Sequence, residues 1–131
     1  MPIITEFKDI EWELNKEENV WIGYNPNLEL NKMGYIYAKL EPKQELKMHY
    51  HERPEKGDEA FIFYQPGTIL LKTLEEEQIK EKKIQITEDN HLNISFKNNE
   101  PHGIKNIGKE PIIFLALYAP AFVPGEVKHI E

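Results

Sequence analysis

Residues that interrupt regular structure recur at short intervals along this chain. Clusters of proline, glycine, asparagine and aspartate fall at residues 25–27, 54–58, 66–67, 89–90 and 98–99, and the runs between them are rich in β-branched and aromatic side chains. An average helix takes about 11 residues, whereas an average strand takes only about 5. The spacing therefore predicts short strands rather than helices, and many short strands in one chain predict an all-β sandwich or barrel.

Pro42 and Gly108 are two further breaks, and between these breaks we predict eight strands, at residues 33–40, 46–51, 59–64, 68–74, 78–87, 92–96, 103–106 and 111–118. The acidic run at 75–77 separates two of these strands and predicts a hairpin turn, and the lysine-rich strand after it is typical of a solvated edge. Residues 1–30 have the weakest pattern. They are expected to add edge strands or to pack over one sheet.

The composition limits what the chain binds and where it works. Its 131 residues fit one domain, 1–131 with a core at about 33–120, and its net charge of −7 disfavours nucleic acid and anionic membranes, because both attract basic surfaces. The sequence lacks the pattern of a membrane span or a signal peptide, so we expect a cytoplasmic protein. Because the chain has no cysteine, any bound metal must be held by imidazole and carboxylate groups.

The first candidate metal-binding motif is His49-Tyr50-His51, on the predicted strand 46–51. Side chains alternate across a strand, so His49 and His51 point to the same face and their imidazoles converge. Two histidines in this spacing are common on exposed polar faces as well. The prediction of a metal site therefore depends on further ligands elsewhere in the chain.

A second motif lies at residues 98–106, where the sequence reads Asn-Asn-Glu-Pro-His-Gly-Ile-Lys-Asn. Asn98 and Asn99 tolerate a left-handed backbone and predict a turn, after which a strand begins at Pro101 or His102. An apolar strand that opens with Glu59 lies between the two motifs. The chain thus combines a histidine pair, an acid and a third histidine on separate strands.

This combination resembles the two motifs of the cupin superfamily. The first motif corresponds to the histidine pair and the segment 59–67, and the second corresponds to 101–108 followed by 110–120. The similarity covers about residues 33–120, and the segment 106–118 is also similar to the end of archaeal cupin-type phosphoglucose isomerases. The resemblance implies a double-stranded β-helix, or jelly-roll barrel, with a short N-terminal extension.

The same resemblance implies that His49, His51, His102 and a glutamate hold one divalent transition metal, which is manganese, iron, zinc, nickel or cobalt. Two glutamates are candidates for the acidic ligand. Glu55 lies in a charged loop at the spacing of the strict motif, whereas Glu59 opens an apolar strand, where its carboxylate would point inward. We favour Glu59, and Glu55 remains the alternative.

A metal with open coordination positions supports several reactions. We expect an enzyme that converts a small polar metabolite, namely a sugar, a sugar phosphate or a hydroxy or keto acid, by isomerase or lyase chemistry. Glu59 and Tyr64 are the candidate catalytic groups. An iron-dependent dioxygenase is one alternative, and a non-catalytic module that binds or senses a small ligand is another.

The other histidines and the N-terminal aromatic residues receive different interpretations. His91 and His129 are interpreted as exposed surface residues outside the metal site. Trp12, Trp21 and Tyr24 give the N-terminal region more apolar surface than a small barrel needs. We therefore predict a homodimer that uses this region.

Overall fold

The computed structural model describes residues 6–24, 34–52, 57–119 and 127–130. Apart from a short 3-10 helix at Phe7–Asp9, the regular structure in these ranges consists of strands. The strands are β1 (Glu11–Asn15), β2 (Val20–Tyr24), β3 (Gly34–Leu40), β4 (Glu45–His51), β5 (Asp58–Phe63), β6 (Gly67–Glu75), β7 (Gln78–Ile86), β8 (Leu92–Phe96), β9 (His102–Asn106), β10 (Ile112–Ala119) and β11 (Val127–His129). No helix in these ranges has the length and apolar character that crossing a membrane requires.

The eight strands predicted from the sequence are β3 to β10, and none of their ends differs from the prediction by more than one residue. β6 and β7 form the predicted acidic hairpin, whose turn residues Glu76 and Glu77 have positive φ angles of 50° and 64°. Two successive left-handed residues give the turn the twist that a tight antiparallel hairpin needs. The strands that the sequence did not locate are β1, β2 and β11.

The strands form two antiparallel sheets that enclose the hydrophobic core. One sheet has the order β1-β2-β3-β10-β5-β8, and the other has the order β11-β4-β9-β6-β7. Apolar side chains of both sheets meet in a single buried cluster, which includes Leu40, Phe63 and Phe114 from the first sheet and Ile69 and Ile104 from the second. Because side chains alternate along each strand, this arrangement gives every strand of the core an inner and an outer face.

The hairpin of β1 and β2 forms one edge of the six-stranded sheet. Edge strands were one of the two arrangements expected for residues 1–30. Lys39 of β3 lies opposite Trp21 in the strand register, and its ammonium group is 5.1 Å from the ring centroids of both Trp12 and Trp21. A cation over an aromatic face contributes about 0.5–1 kcal/mol at an exposed site. The contacts of the two tryptophans with Lys39 therefore stabilise the packing of the hairpin against β3.

Candidate metal centre

β4 brings His49 and His51 to the inner face of its sheet through a β-bulge. Between the pairs Leu46↔Ile104 and His49↔His102, β4 advances three residues while β9 advances two. Without the extra residue, alternation would send Leu46 and His49 to opposite faces, whereas both line the same cavity. The bulge thus sets which face of β4 the histidine pair occupies.

His102 begins β9 directly beside this pair. The chain reverses before it at Asn98 and Asn99, whose φ angles of 54° and 60° confirm the predicted left-handed turn. The turn is bound to the start of β5, because Asn99 accepts a hydrogen bond from the amide of Gly57 at 3.0 Å and Asp58 accepts one from the amide of Asn98 at 3.1 Å. These contacts hold the beginning of β9 against the beginning of β5.

Glu59, the second residue of β5, faces the histidines from the opposite sheet. Its Oε1 is 2.8 Å from Nε2 of His102 and 3.5 Å from Nε2 of His51, and its side chain is only 10% exposed. A ligand nitrogen of each of the three histidines lies within 4.8 Å of the others, and all three residues are buried. Two ligands of one ion at about 2.1 Å each are at most about 4 Å apart, so this cluster has nearly the dimensions of a coordination sphere.

Backbone carbonyls fix the orientation of two of the imidazole rings. Nδ1 of His49 is 2.8 Å from the carbonyl oxygen of Lys47, and Nδ1 of His102 is 3.0 Å from that of Glu100. A carbonyl can only accept, so each Nδ1 carries a proton, and each ring presents a lone pair at Nε2 when it is neutral. Metal-binding histidines are typically oriented in this way.

The donor set therefore fits a cation. When His102 is neutral, its Nε2 and the Oε1 of Glu59 are two buried acceptors that face each other, and neither has a hydrogen-bond partner of good geometry in the described chain. Two facing acceptors repel each other unless a proton or a metal ion lies between them. Nitrogen and oxygen ligands in this combination suit manganese, iron, cobalt, nickel and zinc.

The surroundings of the cluster favour the protonation states in which His49 and Glu59 can bind a metal. Burial, and secondly the positive charge of a protonated His102, lower the pKa of His49 to about 3. For Glu59, burial alone would raise the pKa, but the charges of His102 and His51 outweigh it and hold the pKa well below its usual value. His49 is thus neutral and Glu59 ionised at neutral pH, as metal binding requires.

A cavity of about 330 Å³ adjoins the cluster, and His49, His51 and Glu59 form part of its wall. The rest of the wall is mostly apolar: Val20, Ile22, Tyr35, Ile36, Ala38, Leu46, Phe61, Phe114, Ala116, Tyr118 and Val127. Cavities that bind small molecules have this character, namely an apolar surface with a few convergent polar groups, and volumes from about 300 Å³ upward.

The structure brings together four of the residues that the sequence proposed, His49, His51, His102 and Glu59. Glu55, the alternative acid, lies outside the described residues. Tyr64 directly follows β5, is half-buried and is not one of the residues that line the cavity; burial, followed by the nearby Tyr37, raises its pKa. His91 is exposed, as expected.

Sequence reasoning missed two residues near the cavity. Glu18, in the turn between β1 and β2, forms part of the cavity wall. His129 of β11 is on the exposed surface, as expected, but it pairs with His49 in the strand register and its Nε2 is 3.2 Å from Oε1 of Glu18. No local pattern signals this contact, because the two residues are 111 positions apart in the chain.

Comparison with known proteins shows similarity in structure rather than in sequence. No protein-family model matches the chain, and no curated protein matches it. The polyketide cyclase RemF from Streptomyces resistomycificus superimposes with a TM-score of 0.70 and 18% identity, over 100% of this chain and 87% of RemF. A cupin domain from Bordetella pertussis matches with a TM-score of 0.54 and 17% identity, over 72% of this chain and 88% of that domain.

The capsular polysaccharide assembling protein CapF from Staphylococcus aureus is also similar, with a TM-score of 0.70 and 11% identity over 93% of this chain. The chain spans about a third of the length of CapF, since 34% of that protein is covered. These likenesses and the two antiparallel sheets show that the chain has the cupin fold, a double-stranded β-helix. The fold that the sequence motifs implied is thereby confirmed.

Proposed function

We propose that this protein is a metal-dependent cupin enzyme that binds one divalent transition metal through His49, His51, His102 and Glu59. The observation that carries the proposal is the 2.8 Å contact between Nε2 of His102 and Oε1 of Glu59, which are two facing buried acceptors whenever His102 is neutral, in a cluster of three histidines. A bound metal would act as a Lewis acid on an oxygen of a small molecule in the adjoining cavity. Isomerase or lyase chemistry follows most directly, because it needs no oxidant.

The residues of the chain supply orientation and exclusion of water. The carbonyl groups of Lys47 and Glu100 orient the rings of His49 and His102, and Nε2 of His102 lies 2.8 Å from Oε1 of Glu59. The apolar wall of the cavity keeps the surroundings of this cluster at low polarity, which strengthens any electrostatic interaction with a bound molecule.

The cavity wall selects among the substrate classes that the sequence suggested. None of the described residues that line it is lysine or arginine, so a sugar phosphate would find no cationic partner for its phosphate group. A sugar would leave several hydroxyl groups against apolar side chains, which costs free energy. A small hydroxy or keto acid with an apolar middle part fits best, because the oxygen atoms that would bind the metal lie together at one end.

Metal binding is the first test of this function. We expect the purified protein to bind about one zinc or manganese ion per chain. His102→Ala should lower the metal affinity more than about 100-fold, because removing a metal ligand costs more affinity than removing a residue that only hydrogen-bonds to a ligand. His91→Ala, which changes an exposed histidine, is the matched control. Titration calorimetry that detects no binding to the unchanged protein would refute the proposal.

Proton exchange tests the chemistry itself. Manganese-loaded protein is incubated in D2O with a panel of 2-oxo and 2-hydroxy acids. NMR then measures exchange of the proton on the carbon next to the carbonyl or carboxyl group. We expect exchange with at least one acid and none with the His102→Ala variant. Oxygen consumption by the iron-loaded protein, without such exchange, would instead identify the dioxygenase alternative.

A further inference from the structure

The carboxylate of Glu18 is a second polar feature of the cavity, remote in sequence from the histidine cluster. Glu18 lies in the turn between β1 and β2, and its amide donates a hydrogen bond to Oδ1 of Asn15 at 3.0 Å. The turn is also bound to the opposite sheet, because Asn19 donates to the carbonyl of Glu45 and accepts from the side chain of Gln44, both at 3.0 Å. Glu18 therefore has a fixed place in the cavity wall.

The two carboxylate oxygens of Glu18 have different surroundings. Oε1 is 3.2 Å from Nε2 of His129, whereas Oε2 is buried and has no hydrogen-bond partner among the residues that the structure describes. The side chain is only 12% exposed. Burying a carboxylate oxygen without a partner is unfavourable, and a hairpin turn needs no such group.

The balance of charge around Glu18 agrees with this geometry. Burial raises the pKa of Glu18, although the neighbouring His129 opposes the effect. One histidine on one oxygen does not compensate for the desolvation of the whole carboxylate. Local rules of stability are often broken at functional sites, where a ligand completes the missing contacts.

We propose that Glu18 is a ligand-binding residue of the cavity, whose carboxylate accepts a hydrogen bond from a hydroxyl or ammonium group of the bound small molecule. This inference rests on the proposed function, because the oxygen donors of the same molecule face the cluster of His49, His51, His102 and Glu59. The ligand class is thus a molecule with two polar ends and a short apolar middle. The aliphatic side chains of Val20, Ile36 and Val127 in the cavity wall suit that middle part.

A pair of probes that differ in one group tests the role of Glu18. The probes are straight-chain hydroxamates of three lengths, each with either a terminal hydroxyl or a terminal methyl group, and their hydroxamate end binds zinc through two oxygens. Titration calorimetry with the zinc-loaded protein gives the ratio of the two dissociation constants at each length. Zinc is chosen because it has no redox chemistry.

At the best chain length, we expect the unchanged protein to prefer the hydroxyl-terminated probe about tenfold, which is typical of a hydrogen bond to a charged group. The preference should disappear in Glu18→Met, which keeps the side-chain length, and persist in Glu17→Met, which changes the exposed neighbour in the same turn. Glu18→Met should also keep its affinity for zinc and its melting temperature.

Each other outcome has a distinct meaning. If both probes bind equally to the unchanged protein at all three lengths, Glu18 is not a ligand-binding residue, and the proposed function stands. The inference also fails if Glu18→Met lowers the melting temperature and keeps the preference, because Glu18 is then only a structural partner of His129. If zinc binds but no hydroxamate does, the proposed function fails together with the inference.

Discussion

At the scale of single residues, the candidate site consists of buried polar side chains that the backbone orients. The rings of His49 and His102 are each held by a backbone carbonyl two positions earlier in the chain. Glu59 approaches the cluster from the other sheet, and its Oε1 lies 2.8 Å from His102. Rotation of any of these side chains would break a contact, so the cluster is preorganised for a ligand.

Replacement of the acid tests its assignment. Glu59→Gln keeps the shape of the side chain and removes its negative charge, so we expect zinc and manganese to bind about 10- to 100-fold more weakly, or the metal preference to change. Glu55→Gln should leave the affinity nearly unchanged. Titration calorimetry on both variants decides between them, and a large loss in Glu55→Gln alone would transfer the role of ligand to the loop.

Acid should destabilise the metal-free protein through His49. The pKa of His49 is about 3 in the folded protein and about 6.5 when the chain is unfolded, so between these values the unfolded state binds the extra proton. Stability is therefore complete above about pH 6.5 and falls as the pH drops toward 3, by at most about 1.4 kcal/mol per pH unit from this residue.

Chemical denaturation in the presence of EDTA measures this dependence between pH 7 and pH 5. In His49→Gln the slope of unfolding free energy against pH should become smaller, whereas His91→Ala should keep the slope of the unchanged protein. An equal slope in His49→Gln would show that other groups cause the acid sensitivity.

At the scale of secondary structure elements, the bulge of β4 determines the position of the histidine pair. Gly103 of β9 lies opposite the bulge, and a Cβ atom there would be 3.0 Å from both the carbonyl oxygen of Leu46 and the amide nitrogen of Met48. Both are backbone atoms, which cannot turn away as a flexible side chain can. The close approach of the two strands therefore favours glycine at this position.

Gly103→Ala should displace the bulged part of β4 and with it His49. We expect a loss of about 1–3 kcal/mol in the free energy of unfolding, as is typical of overpacking, together with weaker zinc binding. Gly108→Ala is the control, because a Cβ atom there would be 3.4 Å from its nearest neighbours. Full stability and full zinc affinity in Gly103→Ala would show that the two strands separate easily.

At the scale of the whole molecule, the four residues of the candidate metal centre connect the two sheets. His49, His51 and His102 belong to one sheet and Glu59 to the other. The hairpin of β1 and β2 adds a second connection, because its turn is hydrogen-bonded to the chain at Gln44 and Glu45. The cavity therefore combines groups from both sheets and from the N-terminal hairpin.

The assembly of the molecule remains a prediction, namely a homodimer formed through the N-terminal region. β1 is an edge strand, and Leu14 on it is 38% exposed. Light scattering at micromolar concentration should give the mass of two chains, and Leu14→Lys should give one chain because it places a charge at the edge. Leu74→Lys, at a residue of the other sheet that is 37% exposed, should remain dimeric. A monomer in the unchanged protein would refute the prediction.

The sequence by itself determined the features that depend on neighbouring residues. Left-handed turns at Glu76–Glu77 and Asn98–Asn99 follow from local backbone chemistry, and the spacing of such breaks determined the strands β3 to β10. Alternation along a strand was also sufficient to place His49 and His51 on one face. It failed across the bulge of β4, where the closely approaching residue, Gly103, lies on another strand.

Tertiary structure decided whatever depends on pairs that are distant in the chain. The meeting of Glu59 with His102 depends on how the two sheets pack, and the contact of Glu18 with His129 depends on β11 pairing with β4. The strands β1 and β2 have little local pattern, because Trp12 and Trp21 pack around Lys39 rather than into the core. Local propensity carries no information on such contacts, since they form only when the whole chain has folded.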